Sequence, residues 1–176
     1  MDFSSQFHRH VVDLATDSFE GQAARSDRFA LFREAVAVAT PTVFEVLGDL
    51  NESVLNNTGV VERDQLPDEG ELRFACRWTL SWPEQKEASH RITGEALEPV
   101  VVAVAFPSDY THPHIGENKS AESETIWAWP FQVTSPEDAE QLRFVFEAVA
   151  AASLHERIFQ ADSGWRVIPE AQQPSN

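Results

Sequence analysis

Glu71-Leu72-Arg73-Phe74-Ala75-Cys76-Arg77-Trp78-Thr79-Leu80-Ser81-Trp82 is the stretch whose reading decides the fold. Leu72, Phe74, Cys76, Trp78, Leu80 and Trp82 alternate with Glu71, Arg73, Ala75, Arg77, Thr79 and Ser81. Successive side chains of a strand point to opposite faces, so this segment has one apolar side and one polar side. That pattern predicts a strand of an antiparallel sheet packed on one face.

Working outward, Val100–Phe106 is apolar at every position and rich in β-branched residues, which predicts a central, well-buried strand. Pro83-Glu84-Gln85-Lys86 reads as a turn and His90–Glu98 as a second strand. Glu62–Gly70 is acidic and contains Pro67, so it reads as a loop, and Pro107–Ser123 as a long polar connection. Glu124–Val133 predicts a further strand with Trp127, Trp129, Phe131 and Val133 on one side. Pro130 within it removes a ladder donor, which confines it to an edge or a bulge.

Before the sheet the apolar period is helical. Phe7, Val11 and Leu14 form a stripe in residues 4–19, and Phe29, Phe32, Val36 and Ala39 form another after a cap at Ser26 or Asp27. Thr40-Pro41 then predicts a third helix, or a kinked extension of the second, along Val43, Leu47, Leu50 and Val54. Asn56-Asn57-Thr58-Gly59 suits left-handed backbone at its end. After the sheet, Ser135 caps a helix with Pro136 at its first position and Glu137 and Asp138 at its positive end. Leu142, Val145, Phe146, Val149 and Ser153 trace its buried stripe. Gly164 breaks the chain, Trp165–Ile168 suggests a short last strand, and 171–176 reads as frayed.

These signals predict one α+β domain over residues 1–176, since no repeat or linker divides the chain. Residues 1–59 make its helical part and 60–134 an antiparallel sheet of roughly four or five strands. Residues 135–160 form a C-terminal helix packed on one sheet face, and 161–176 a short strand and frayed tail.

Composition limits the function. The chain has 29 acidic and 13 basic residues, a formal net charge of -16, and only Lys86 and Lys119 among its basic residues are lysines. So negative a surface repels phosphate backbones and anionic headgroups, which disfavours nucleic-acid and membrane binding. The acidity gathers in Glu62–Glu71, Glu84–Glu98 and Glu117–Glu124, at or between strand ends, and in the first turn of the last helix. The hydrophobic fraction of 42% is enough for a core and argues against disorder. Met1-Asp2-Phe3-Ser4-Ser5 lacks a secretory pattern and no apolar run approaches the ~18 residues of a membrane span, so a reducing cytoplasm is the expected compartment.

One local constellation suggests chemistry. His112 and His114 lie two apart in Thr111-His112-Pro113-His114-Ile115-Gly116-Glu117, so on extended backbone they share a side. Neutral imidazoles and a carboxylate suit a divalent transition metal, making His112, His114 and Glu117 a candidate site. The pair resembles the His-x-His of the cupin family, but Glu117 follows too closely and the second cupin motif is missing, so that family is not assigned. Arg73 and Arg77, on the polar side of the strand, are candidate anion ligands if the sheet curves and, in a flat sheet, solvent-exposed partners of cross-strand glutamates such as Glu95, the reading favoured here. Trp127 and Trp129 are candidate walls of a ligand cavity. Cys76 falls on the apolar side and reads as an inert core thiol. No nucleophile elbow, dinucleotide fingerprint or P-loop occurs.

The expectation that follows is an acidic binding or regulatory module whose partner is a protein with a basic surface. Two alternatives stay open: a metal-dependent enzyme built on the His112/His114/Glu117 loop, and a small-ligand binder with a cavity between helices and sheet.

Overall fold

Five antiparallel strands lie side by side in chain order, β1 (Val60–Arg63), β2 (Phe74–Ser81), β3 (Val100–Phe106), β4 (His114–Gly116) and β5 (Trp127–Pro130). A computed structural model gives this arrangement and describes residues 8, 11, 25–64, 74–106, 113–116 and 127–170. For 25–28, 74 and 127–128 it describes the backbone alone. Helix α1 (Arg25–Leu55) leads into the sheet. After β2 comes the short α2 (Pro83–Glu87), and after β5 come α3 (Pro136–Gln141), α4 (Arg143–Gln160) and a 3₁₀ turn at Gly164–Val167. The class is α+β, with a helical N-terminal part and a C-terminal helix packed on the sheet. Among the described residues no helix is long and apolar enough to cross a membrane.

The register explains where the core sits. Cys76, Trp78 and Leu80 pair with Val104, Val102 and Val100, and Val104 pairs in turn with Ile115. Paired residues share a face, so these form one apolar surface. Phe32, Val36, Val43 and Leu47 of α1 and Phe146, Ala150 and Leu154 of α4 join it in a single buried cluster. β4 is too short to cover all of β3. Beyond its end, the Val101 N–H donates instead to Ser153 Oγ of α4 at 3.0 Å, with both groups buried. Trp82 anchors the next corner, its indole N–H donating to the Val167 carbonyl at 2.6 Å.

Several elements differ from the sequence reading. Pro41 lies inside α1, which runs unbroken. Its missing N–H would have reached the Ala37 carbonyl. Ala37 and Pro41 are both exposed, so water can take that acceptor while Val36, Ala39, Val43 and Leu47 keep one buried stripe. Val60–Arg63, part of which reads as loop, forms β1 against β2. Gly59 makes this possible: a Cβ there would meet Leu80 Cδ1 at 2.6 Å and Asn51 Oδ1 at 2.7 Å. Asn51 grips the Gly59 backbone instead, accepting its N–H at 2.9 Å and donating to its carbonyl at 3.2 Å. Asn56 and Asn57 take the expected left-handed backbone.

His90–Glu98 is a turn rather than a strand. His90 Nδ1 accepts the Ile92 and Thr93 N–H groups, and Gly94 has φ 72. Pro83–Glu87 is a short helix, with proline where a missing donor costs nothing. Ser135 caps α3 as expected, accepting the Asp138 N–H at 3.2 Å, but the helix breaks at Leu142 into α3 and α4. Gly164, at φ 58, starts a 3₁₀ turn where a last strand was expected. Strand β5 is both an edge and irregular, which accommodates Pro130. The helix expected over 4–19 is described only at His8 and Val11, both helical and exposed, and the tail at 171–176 lies outside the described residues.

Candidate functional site

The sheet sorts the candidate residues onto its two faces. Arg77 pairs with Ala103, and Ala103 with Gly116; one step along, Ala75 pairs with Ala105, and Ala105 with His114. Arg77 and His114 therefore share the face turned away from α1 and α4. Between them lie Ala75, Ala103, Ala105 and Gly116, which carry at most a methyl group. Two strand spacings and two residues of rise put the Arg77 and His114 Cα atoms roughly 12 Å apart.

Arg77 is half-buried and its Nε–H is shielded from water without a hydrogen-bond acceptor. Among the described residues it makes no ion pair, although Asp64 follows β1 beside it and donates its backbone N–H to the Arg77 carbonyl. A buried donor left unsatisfied costs ~1–3 kcal/mol. Among the described residues the expected cross-strand glutamate does not neutralise this arginine: Glu95 lies in the turn after His90, and Glu62 sits opposite Thr79.

Trp129 occupies the other face. It pairs with Ile115, is half-buried, and meets the Phe144 ring edge-on at 5.9 Å between centroids. The register shift between Ile115 and Gly116 puts Trp127 opposite Gly116 instead. Its side chain lies outside the described residues, as do Arg73, His112 and Glu117. Arg77 and Trp129, grouped in the sequence reading as ligand contacts, are thus separated by the sheet. Of the proposed metal ligands only His114 is described. Among the described residues no group of three His, Cys, Asp or Glu side chains converges on a common point.

Other titratable groups have structural explanations. Cys76 is buried and its thiol is pushed up to about 12, chiefly by burial, so it is no nucleophile at neutral pH. His90 shapes its turn, and His155 packs on Phe159 at 4.7 Å on the exposed side of α4.

The residue that the sequence reading passed over is Arg143. At the first position of α4 it reaches Glu140 at 2.6 Å, Glu45 of α1 at 2.5 Å and Asp49 at 3.9 Å. Hydrogen bonding from Arg143 lowers the Glu140 pKa, and Glu140 with Glu45 raises that of Arg143. Glu140 and Arg143 are three apart on the chain and Glu45 and Asp49 four apart, spacings that place each pair on one helix side. That was the available signal. Glu52 and Glu147 extend the acidic surface by one turn in each helix, and Phe44 and Phe144 are exposed apolar residues beside it.

Comparison with known proteins adds no constraint: no family model, curated protein or solved structure matches the chain.

Proposed function

We propose that this chain is an acidic protein-binding or regulatory module, and that its partner presents a basic surface to the outer side of α1, α3 and α4. The observation that carries the reading is the group Glu45, Asp49 and Glu140 around one arginine, with Glu52 and Glu147 beyond them, in a chain of net charge -16. The three carboxylates outnumber Arg143, so the surface keeps a negative charge after internal pairing. Phe44 and Phe144 supply apolar area on which an arginine or lysine stem can pack. Complementary charge of this kind speeds encounter and selects among partners. A cytoplasmic setting, in which Cys76 stays reduced, agrees with the reading.

The test is affinity capture at low and high ionic strength, followed by direct binding measurement with the captured protein. The expected partner is basic, binds with 1:1 stoichiometry and loses affinity steeply as salt rises. A partner of neutral or acidic surface, or binding indifferent to salt, would overturn the proposal. The metal-enzyme reading keeps one described ligand, His114, and is checked by metal analysis of untagged protein. Sub-stoichiometric metal that His112→Ala leaves unchanged would remove it.

A further inference from the structure

We infer that Arg143 is an internal stand-in for an arginine of the basic partner: it fills the seat among Glu45, Asp49 and Glu140 that the partner's guanidinium takes on binding, and so limits how tightly that partner is held. This role holds only on the reading of that surface as a docking site for a basic protein. Three carboxylates from two helices, α1 and α3, converge on one guanidinium, and each faces a different nitrogen. Glu140 accepts from Nε at 2.6 Å, Glu45 from Nη2 at 2.5 Å, and Asp49 stands 3.9 Å from Nη1. Acceptors spread round a planar fork are matched to arginine rather than to lysine, whose ammonium is a compact point charge.

Exposure makes the exchange feasible. The Glu45, Asp49 and Glu140 side chains are 65%, 76% and 58% exposed, so a cation can reach each of them from solvent. Ion pairs between exposed groups contribute little, so releasing Arg143 costs little. The Asp49 contact is too long for a hydrogen bond, so an incoming cation can attach there before Arg143 lets go. Phe144, next to Arg143 in the chain and 47% exposed, offers its ring to the incoming guanidinium and its stem. The consequence is a sign. Deleting a residue that contacts the partner, or that holds the site in shape, weakens binding; deleting an internal competitor tightens it.

The probes are octa-arginine and octa-lysine peptides, blocked at both ends and titrated into the full chain by calorimetry and by NMR of the side-chain carboxylates and the Arg143 Nε–H. In the unaltered protein octa-arginine should shift the Arg143 Nε–H saturably as its bond to Glu140 is released; an unmoved resonance at saturation would overturn the assignment without any variant. Arg143→Gln should bind octa-arginine about three- to fivefold more tightly, the upper range of what exposed ion pairs contribute, and should prefer it to octa-lysine. Arg143→Lys, which keeps the charge and loses the fork, should fall between. Arg33→Gln, roughly 18 Å along α1 from Glu45, changes net charge equally and should alter affinity less than about twofold. Circular dichroism of each variant establishes that the fold is kept. Weaker or unchanged binding in Arg143→Gln, equal tightening in Arg33→Gln, or equal affinity of Arg143→Gln for the two peptides would overturn this role of Arg143 and leave the docking surface standing. If the combined Glu45→Gln, Asp49→Gln and Glu140→Gln variant binds octa-arginine as the unaltered protein does, the docking surface itself falls, and the role of Arg143 with it.

Discussion

The two faces of the sheet treat an arginine in opposite ways. On the helical side Arg143 is surrounded by Glu45, Asp49 and Glu140, all largely in solvent. On the far side Arg77 is half-buried beside alanines and a glycine, with no carboxylate paired to it among the described residues. In a chain with so large an acidic excess, chance favours the first environment. The contrast teaches that net charge describes the molecule poorly: among the described residues the carboxylates gather on helix surfaces and in turns, and Arg77, on the polar face of the most regular strand, has no carboxylate paired with it.

The largest expected effect separates core from surface within one helix. Phe146 is fully buried and its near neighbour Phe144 is 47% exposed. Phe146→Ala should cost ~3–5 kcal/mol of unfolding free energy in denaturant titrations, because it removes a buried ring and leaves a cavity. Phe144→Ala should cost less than ~1 kcal/mol. Equal losses would mean that α4 does not seat on the sheet as described. Next comes a polar tie between the same helix and the central strand. Ser153→Ala leaves the Val101 N–H buried without its acceptor, for an expected loss of ~1–3 kcal/mol. Amide exchange at Val101 should accelerate; unchanged exchange would show that another acceptor serves it.

The two arginines should then differ in sign. Arg143→Leu removes three exposed ion pairs and should cost no more than ~1 kcal/mol, an effect that salt diminishes. It is also pH-dependent. Because the Glu140 pKa is held below its ordinary value of 4.5, the stabilisation is complete above that value and is lost as pH falls through the lowered pKa. Arg77→Leu should leave stability unchanged or raise it, since it deletes an unsatisfied donor. A loss there as large as at Arg143 would erase the distinction between the faces. The smallest structural perturbation is chemical: Cys76 in native protein should resist alkylation at neutral pH and react on unfolding, as a thiol raised to about 12 requires.

Much of the fold was legible because periodicity reports which side of an element is buried. The alternation through Trp78 and the uniform apolarity of Val100–Phe106 placed β2 and β3 with their correct faces. Ser135-Pro136 marked the start of α3 for the same kind of local reason. What failed depended on tertiary partners. Val60–Arg63 becomes a strand because Gly59 lets the chain pass close to Leu80, and no local propensity announces that contact. At Pro41 the two readings offered are settled in favour of one continuous helix, because the buried stripe continues across it. The candidate site was legible only in part. Residue type singled out Arg77 and His114, but their common face depends on the register of two ladders, and Arg143 gained its role from a helix 98 positions away in sequence.

The proposed function rests on the acidic charge acting as a local surface rather than a diffuse property, and a matched pair of variants tests that claim most directly. One carries Glu45→Gln, Asp49→Gln and Glu140→Gln on the helical side; the other carries Glu62→Gln, Glu87→Gln and Glu95→Gln elsewhere, so net charge changes equally. The association rate of the captured basic partner is then measured for each across ionic strength. The account predicts a slower rate and a flatter salt dependence for the first variant, with the second close to wild type. Equal loss in both variants would contradict it.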